Sequence, residues 1–220
     1  MCKAAAGRVF TYSARSDEAD MTARNIKLHA DSVSFCALRT GSLEKLRLGI
    51  PGMFSVYNAL AAVSSAIVAG VPVGDIRAGL AACKGVKGRV EVVPTGTDYT
   101  VLIDYAHTPD ALENVLDTVR EFAKKRVMVL FGCGGDRDPI KRPIMGAIAV
   151  DKADYVIVTS DNPRTEKPEA IIRDIVRGLE EADTDTPFEV IASRRDAIAR
   201  ALKIAEPGDI VILAGKGHET

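Results

Sequence analysis

The chain has 220 residues, of which 47% are hydrophobic and 27% charged, and its formal net charge at pH 7 is −1. This length and apolar content are enough for one or two globular domains with real cores. A balanced charge and an aromatic content of only 5% argue against a nucleic-acid groove, which needs excess cations and stacking surfaces. The longest apolar stretch, residues 59–73, is interrupted by serines and a glycine and is too short for a membrane span. We therefore expect neither nucleic acid nor a membrane as a partner.

The four cysteines, Cys2, Cys36, Cys83 and Cys133, lack the CxxC spacing and the nearby histidines of a zinc site. Free thiols in a reducing compartment are the simplest interpretation, and no targeting segment is visible, so we expect a cytoplasmic protein and no metal site within this chain. Cys133 lies in a glycine-rich loop without a base beside it in sequence, which favours packing over a nucleophilic role.

The first half of the chain predicts a small sheet followed by helices. Short strands with the alternation of a half-buried antiparallel sheet are expected at 8–12, 26–30, 32–38 and 45–49. An alanine-rich helix over 58–69 and a second helix over 73–83 follow, and glycines then precede a strand over 89–93. This change of character places a domain boundary near Val93-Pro94, giving domains 1–93 and 94–220.

From residue 99 onward, predicted strands alternate with predicted helices. The strands are expected at 101–104, 127–131, 155–159, 188–191 and 210–213, and the helices at 109–123, 141–150, 168–181 and 194–204. The alternation predicts an α/β fold with a Rossmann-like, doubly wound, mostly parallel sheet. Polar loops follow four of these strands, and in such a sheet they converge on the edge where ligands bind.

The most informative of these loops is Asp161-Asn162-Pro163-Arg164, which follows an apolar strand and precedes a helix opened by Pro168. Within four positions it offers a carboxylate, an amide and a guanidinium. These groups can hold a small zwitterion that carries both a carboxylate and an ammonium. The loop is therefore predicted to be a substrate clamp.

A second loop, residues 132–137, is rich in glycine but does not have the GxGxxG spacing, which argues against a dinucleotide site. Arg137 and the following Lys141-Arg142-Pro143 place cations at the mouth of the predicted crevice, although a solvated surface role is equally open.

His107 and Asp104 lie at the end of another predicted strand. Capping or packing is the commoner role for such a histidine, while Asp104 suits either ribose hydroxyls or a turn.

The last loop, residues 214–219, contains Gly215-Lys216-Gly217 but lacks the upstream glycine of GxxxxGK[ST], and no helix follows it in this chain. We reject a phosphate-binding Walker loop here. A further helix usually covers the last strand of such a sheet, so the chain is expected to be a fragment.

Taken together, these segments resemble the Mur ligases. The matching segments, in the family's order, are 52–62 (GMFSVYNALAA), 88–91 (GRVE), 104–109 (DYAHTP), 132–142 (GCGGDRDPIKR), 161–166 (DNPRTE) and 215–219 (GKGHE). The Asp161 to Arg164 segment resembles the diaminopimelate recognition motif of the family. The resemblance implies ATP-dependent amide formation, with Mg²⁺, in which meso-2,6-diaminopimelate is added through an acyl phosphate to the UDP-N-acetylmuramoyl-dipeptide of peptidoglycan synthesis.

The resemblance also implies roles for individual residues. Diaminopimelate would be held by Arg137 at one carboxylate, by Asn162 and Arg164 of the motif that includes Pro163 at the distal carboxylate, and by Glu219 with the Gly215 carbonyl at the distal ammonium, while Asp161 would orient Arg164. The ATP side would include Asn58 at adenine, Arg89 at a phosphate or the ribose, Asp104 at the ribose, and His107 in the same pocket.

Two features depart from the family pattern. Ser55 stands where the family has Asn, which puts one adenine-side contact in doubt. The family's phosphate loop, Mg²⁺ ligands and carbamylated lysine would lie upstream of the residues present, so the chain is expected to hold the β/α tail of the central domain and most of the C-terminal domain, with no catalytic residue and no activity alone. A stand-alone amino-acid-binding module and a folylpolyglutamate synthetase remain alternatives, the latter lacking the Asp161 to Arg164 signature; an oxidoreductase is disfavoured by the missing GxGxxG.

Overall fold

A computed structural model of the chain describes residues 7, 9–39 and 42–217. Contacts divide the chain into two compact units that meet at Lys84 and Gly85. The boundary expected near Val93-Pro94 therefore lies too late in the chain. The reason is that the strand Glu91–Val93 pairs with a strand of the second unit, so it cannot belong to the first.

The first unit is a four-stranded sheet with two helices. Its elements are β1 (Tyr12–Ser13), β2 (Met21–Leu28), β3 (Val33–Arg39), β4 (Ser42–Leu48), α1 (Met53–Val68) and α2 (Val73–Ala82). Strands β2, β3 and β4 are antiparallel as predicted, but β1 pairs with β2 in parallel, which the alternation could not reveal. Apolar residues of the sheet pack with α1 and α2 around a core that includes Phe35 and Leu60.

The second unit is a six-stranded sheet flanked by helices. Its elements are β5 (Glu91–Val93), β6 (Thr100–Asp104), α3 (Pro109–Arg120), β7 (Val127–Phe131), α4 (Lys141–Lys152), β8 (Tyr155–Val158), α5 (Pro168–Glu181), β9 (Phe188–Val190), α6 (Arg194–Ile204) and β10 (Ile210–Ala214). The strand order is β5-β6-β10-β7-β8-β9, and every strand except the edge strand β5 is parallel to its neighbours. The predicted doubly wound, mostly parallel α/β fold is confirmed.

Alternate residues of the sheet face different helices. Met128, Leu130 and Val211 pack against Ala197 and Ala201 of α6, which covers one face. Helices α3, α4 and α5 pack against one another in sequence. Among the described helices, none is long and apolar enough to cross a membrane.

Helices α4 and α5 approach each other more closely than side chains would normally allow. A Cβ at Gly178 would lie 1.9 Å from the carbonyl oxygen of Pro143, and one at Gly146 would lie 2.4 Å from the carbonyl oxygen of Ile175. Glycine at both positions lets the two backbones touch. This contact joins the first half of α4 to the second half of α5.

Candidate amino-acid-binding cleft

A cleft of about 510 Å³ opens at the carboxyl edge of the second unit's sheet. Because β6, β7, β8 and β10 are parallel, the loops that follow them meet at this edge, as the sequence predicted. The cleft brings together six predicted site residues: His107, Arg137, Asp161, Asn162, Arg164 and Gly215. Its lining carries three cations, Arg137, Lys141 and Arg164, and two carboxylates, Asp138 and Asp161, which is a set of charges suited to a zwitterion.

The loop after β8 holds Arg164 in an uncommon conformation. Its φ is +51°, in the left-handed region that most residues avoid. The guanidinium Nη1 donates to the carbonyl oxygen of Gly135 at 2.7 Å and, more weakly, to that of Asn162 at 3.5 Å. The expectation that Asp161 orients Arg164 is wrong: Asp161 accepts the Asn162 N–H at 2.5 Å and lies 4.0 Å from the Lys216 ammonium. Carbonyl oxygens, which are already fixed by the loops, aim the guanidinium instead.

The Asn162 side chain is oriented by a residue that the sequence analysis had set aside. Lys216 Nζ donates to Asn162 Oδ1 at 2.7 Å. This bond sets the orientation of the amide, with its oxygen facing Lys216 and its nitrogen, the donor, on the other side. An amide nitrogen beside a guanidinium forms a donor set that suits a carboxylate.

Arg137 is exposed at the cleft and follows Asp136. Among the described residues, its side chain makes no hydrogen bond or ion pair. An extended cation of this kind is available to a ligand, and equally to solvent. The position therefore agrees with the predicted carboxylate contact without testing it.

The two loops that carry these arginines are packed tightly together. Gly135 N–H donates to the Asn162 carbonyl oxygen at 2.9 Å. A Cβ at Gly135 would lie 1.9 Å from the Pro163 carbonyl oxygen, and a Cβ at Gly134 would lie 2.8 Å from Arg164 Nη1. Gly134 and Gly135 thus let the loop after β7 come into contact with the loop after β8.

Asp104 is buried at the end of β6, and its carboxylate accepts hydrogen bonds from two backbone N–H groups. Oδ2 accepts the Val90 N–H and Oδ1 accepts the Ala106 N–H, both at 2.8 Å. Val90 has a φ of +43°, an outlier for a β-branched residue, and this bond holds it there. The turn-forming alternative thus has direct support, while a ribose contact stays a prediction.

Arg89 and His107 flank the same tyrosine. The Arg89 guanidinium lies over the Tyr105 ring, 5.2 Å from its centroid, and the His107 ring centroid lies 4.6 Å from that of Tyr105. His107 Nδ1 is 2.9 Å from the Tyr105 carbonyl oxygen, and Lys141 Nζ donates to the His107 carbonyl oxygen at 2.7 Å. This cluster adds one further cation, Arg89, stacked on Tyr105 beside the predicted amino-acid loops.

The remaining predicted residues lie elsewhere. Asn58 is exposed on α1 of the first unit, and Ser55 is buried with its hydroxyl donating to the Pro51 carbonyl oxygen at 2.9 Å, which fastens the start of α1. Glu219 lies outside the described residues, so its expected ammonium contact has no geometry here. Within the described ranges no group of three or more His, Cys, Asp and Glu residues could hold a metal ion.

Two cations were missed as site residues. In the sequence, Lys216 belongs to a segment that lacks the upstream glycine of a phosphate loop, and Arg142 belongs to a cation cluster that suits a solvated surface equally well. Arg142 is in fact 2% exposed. Its signal in the sequence was its position, one residue before Pro143 in the first turn of a helix that faces a neighbouring helix.

A mostly parallel sheet flanked by helices, with a cleft at its carboxyl edge, defines the second unit as a doubly wound α/β domain. Comparison with protein families identifies it further. Residues 88–217 match the family described as Mur ligase, glutamate ligase domain, and residues 1–66 match the Mur ligase middle domain. The chain belongs to the Mur ligase family.

Curated relatives match over nearly the whole chain. A UDP-N-acetylmuramoyl-L-alanyl-D-glutamate--2,6-diaminopimelate ligase of Clostridioides difficile (strain 630) is 47% identical over 211 residues, which are 96% of this chain and 43% of the relative. The ligase of the same name from Caldanaerobacter subterraneus subsp. tengcongensis is 46% identical over 220 residues, covering 100% of this chain and 45% of the relative. The chain thus spans less than half the length of these relatives.

Solved structures give the same result. A structure of a UDP-N-acetylmuramoyl-L-alanyl-D-glutamate--2,6-diaminopimelate ligase superimposes with a TM-score of 0.78 at 37% identity, covering 96% of this chain and 42% of that one. A folylpolyglutamate synthase from Thermotoga maritima has a TM-score of 0.68 at 21% identity, covering 89% of this chain and 44% of that one. The second likeness shows a shared fold alone.

Proposed function

We propose that this chain is the amino-acid-holding part of an ATP-dependent ligase that joins meso-2,6-diaminopimelate to UDP-N-acetylmuramoyl-L-alanyl-D-glutamate. The observation that carries the proposal is the pair Arg164 and Asn162, whose donors are already oriented at the cleft by Gly135 and Lys216. The names of the relatives support the choice of substrate.

The cleft suits a molecule with an amino-acid group at each end. Arg137 takes the carboxylate of one end, while Arg164 and Asn162 take the distal carboxylate. The Gly215 carbonyl, together with Glu219, takes the distal ammonium. Opposite charges at fixed separations discriminate by length as well as by charge, since both ends must be satisfied at once.

Selection against lysine follows from the same arrangement. Lysine has the ammonium of diaminopimelate but lacks its distal carboxylate. The Arg164 guanidinium would then lack its ligand carboxylate in a partly desolvated cleft, and an unmet charged partner of this kind gives strong discrimination.

ATP supplies the phosphoryl group that activates the D-glutamate γ-carboxylate as an acyl phosphate. The part of this chain is to hold the amine of diaminopimelate in position for attack on that carbonyl, which is catalysis by positioning. Arg89 beside Tyr105, with His107 and Asp104, would form the nucleotide side of the second unit. Within the first unit, Asn58 is the residue expected to contact adenine. Because the described residues contain no cluster suited to a metal, we assign no Mg²⁺ ligand to them.

Calorimetric binding of meso-diaminopimelate and of L-lysine to the 220-residue chain tests the proposal. We expect the wild type to prefer diaminopimelate and Arg164→Ala to lose that preference. Arg173→Ala is a matched control, because Arg173 is an exposed arginine on α5 outside the cleft. Equal binding of the two amino acids by the wild type, or unchanged preference in Arg164→Ala, would contradict the proposal.

A chimera tests the activity. Replacing the matching 211-residue region of the Clostridioides difficile relative with this chain should preserve ADP release that depends on both the UDP-dipeptide and diaminopimelate. Diaminopimelate binding without ADP release in a folded chimera would instead favour a binding module.

A further inference from the structure

Arg142 is a buried arginine in the first turn of α4 that contacts no part of the cleft directly. Nη2 lies 2.7 Å from Glu166 Oε1, and Nη1 lies 2.9 Å from Asp174 Oδ2. A guanidinium 2% exposed is costly to bury unless it is paired. Arg142 therefore holds in place the loop that carries Glu166 and the helix α5 that carries Asp174.

Glu166 connects Arg142 to the two loops that carry Arg137 and Arg164, the loops after β7 and β8, which we call the clamp loops. Its Oε1 also accepts the Asp136 N–H at 2.6 Å. The Asp136 carboxylate in turn accepts the Thr165 hydroxyl at 2.6 Å and the Thr165 N–H at 3.2 Å. These hydrogen bonds join the loop after β7 to the loop after β8, and we call them the loop-joining bonds.

Two residues of the loop-joining bonds are the immediate neighbours of Arg137 and Arg164. Asp136 precedes Arg137, and Thr165 follows Arg164. Asp136 has a φ of +53° and Arg164 a φ of +51°. Two non-glycine residues in the left-handed region need surrounding contacts to keep them there, and the loop-joining bonds supply those contacts.

We propose that Arg142 is a positioning residue: through Glu166 it holds Asp136 and Thr165, and so fixes the separation and direction of Arg137 and Arg164 for an amino acid with two carboxylates. The inference rests on the proposed function for the identity of the ligand. It adds a residue outside the cleft that controls affinity for that ligand without touching it.

The charge state of the network agrees with this role. The hydrogen bond from Arg142, followed by that from the Asp136 N–H, lowers the pKa of Glu166 below its ordinary value. Hydrogen bonds from Thr165 likewise lower the pKa of Asp136. Both carboxylates are therefore charged near pH 7, and the loop-joining bonds that they accept are present there.

A purely structural role for Arg142 would be to join α4 to α5 through Asp174. The two helices already touch at Gly146 and Gly178, so that ion pair adds to an existing contact. The chain offers a matched comparison: the side chains of Glu166 and Asp174 are 32% and 37% exposed and bind the same guanidinium, yet only Glu166 reaches a clamp loop.

The experiment compares Glu166→Ala with Asp174→Ala in the 220-residue chain. We expect similar losses of resistance to urea, since each variant removes one partner of Arg142. We expect Glu166→Ala to raise the Kd for meso-diaminopimelate about tenfold, the effect of losing one charge-assisted contact, and Asp174→Ala to stay within about twofold of wild type. Amide hydrogen exchange at Asp136 and Thr165 should accelerate in Glu166→Ala alone.

A second pair of variants works if Glu166→Ala does not fold. Thr165 and Asp136 are both exposed, so Thr165→Val removes only the hydroxyl bond, and Thr165→Ser should rescue the affinity that Thr165→Val loses. Equal Kd changes in Glu166→Ala and Asp174→Ala, or no rescue by Ser, would overturn the inference. If the wild type does not bind diaminopimelate, the proposed function fails, and the exchange comparison, which needs no ligand, still decides whether Arg142 holds the loops.

Discussion

Replacing Gly134 with alanine should damage the clamp while sparing the fold. A Cβ at this position would lie 2.8 Å from Arg164 Nη1, and the next nearest atoms are 3.7 Å and 3.9 Å away. Gly134 does not have a positive φ, so its backbone accepts alanine. The guanidinium is the end of a flexible side chain and can move aside, but in moving it leaves the position from which it would bind a carboxylate.

The magnitude follows from the contacts. The displaced guanidinium moves off its 2.7 Å bond to the Gly135 carbonyl oxygen and so loses its proposed contact with the ligand carboxylate. Hydrogen bonds to charged groups contribute about 1.5–3 kcal/mol. About 1.4 kcal/mol corresponds to a tenfold change in Kd, so we expect the Kd for diaminopimelate to rise at least tenfold. Since the displaced side chain is exposed, the free energy of unfolding should change by less than about 0.5 kcal/mol.

Gly135→Ala gives the contrasting result. Its Cβ would lie 1.9 Å from the Pro163 carbonyl oxygen, where only backbone can yield, so the free energy of unfolding should fall by about 1–3 kcal/mol along with affinity. Calorimetry and urea unfolding of the two variants give both quantities. The control is Gly79→Ala in α2, where the new Cβ meets nothing within 4 Å; it should gain about 0.5–1 kcal/mol of stability and keep wild-type affinity. Wild-type affinity in a folded Gly134→Ala chain would refute the reasoning.

Three further outcomes are expected. Because a carboxylate held by a planar fork needs guanidinium geometry, Arg137→Lys should weaken diaminopimelate binding nearly as much as Arg137→Ala, and tolerance of Lys would remove Arg137 from the site. Burial raises the pKa of the Cys133 thiol to about 11, so in folded protein at pH 8 peptide mapping should find iodoacetamide on the exposed Cys83 and not on Cys133; equal labelling would show that the loop opens. Since the pKa of Glu166 is lowered in the folded state, the stability that wild type has over Glu166→Ala should be complete above the ordinary Glu pKa and disappear as the pH falls through the lowered value; urea unfolding at several pH values measures this, and a difference that grows in acid would be inconsistent with it.

Elements with a local signal were predicted well. Helix α5 was predicted with its observed bounds, because Pro168 marks its first turn and Ile171, Ile175 and Leu179 recur on its buried side. Helix α1 begins at Met53 and not at 58, since no side chain caps it and its start is set by Gly52 at a φ of +88°.

What the sequence could not give was pairing between distant segments. No periodicity tells which strand neighbours which, so the parallel pairing of β1 and the central place of β10 were not foreseen. The same holds for the cleft: the loops were predicted to converge, but the contact partners of Arg164, Asn162 and Arg142 lie far from them in the chain and meet only in the fold.

The central place of β10 affects how the second unit can assemble during synthesis. Strands β6 and β7 do not pair with each other; each pairs with β10, which is made after all the other strands of the sheet. Until it emerges from the ribosome, both strands present open edges that invite wrong pairing. The pairing that joins β6 to β7 through β10 must therefore form last. A nascent chain halted before Ile210 should be cut readily by protease, whereas one extended past Ala214 should resist.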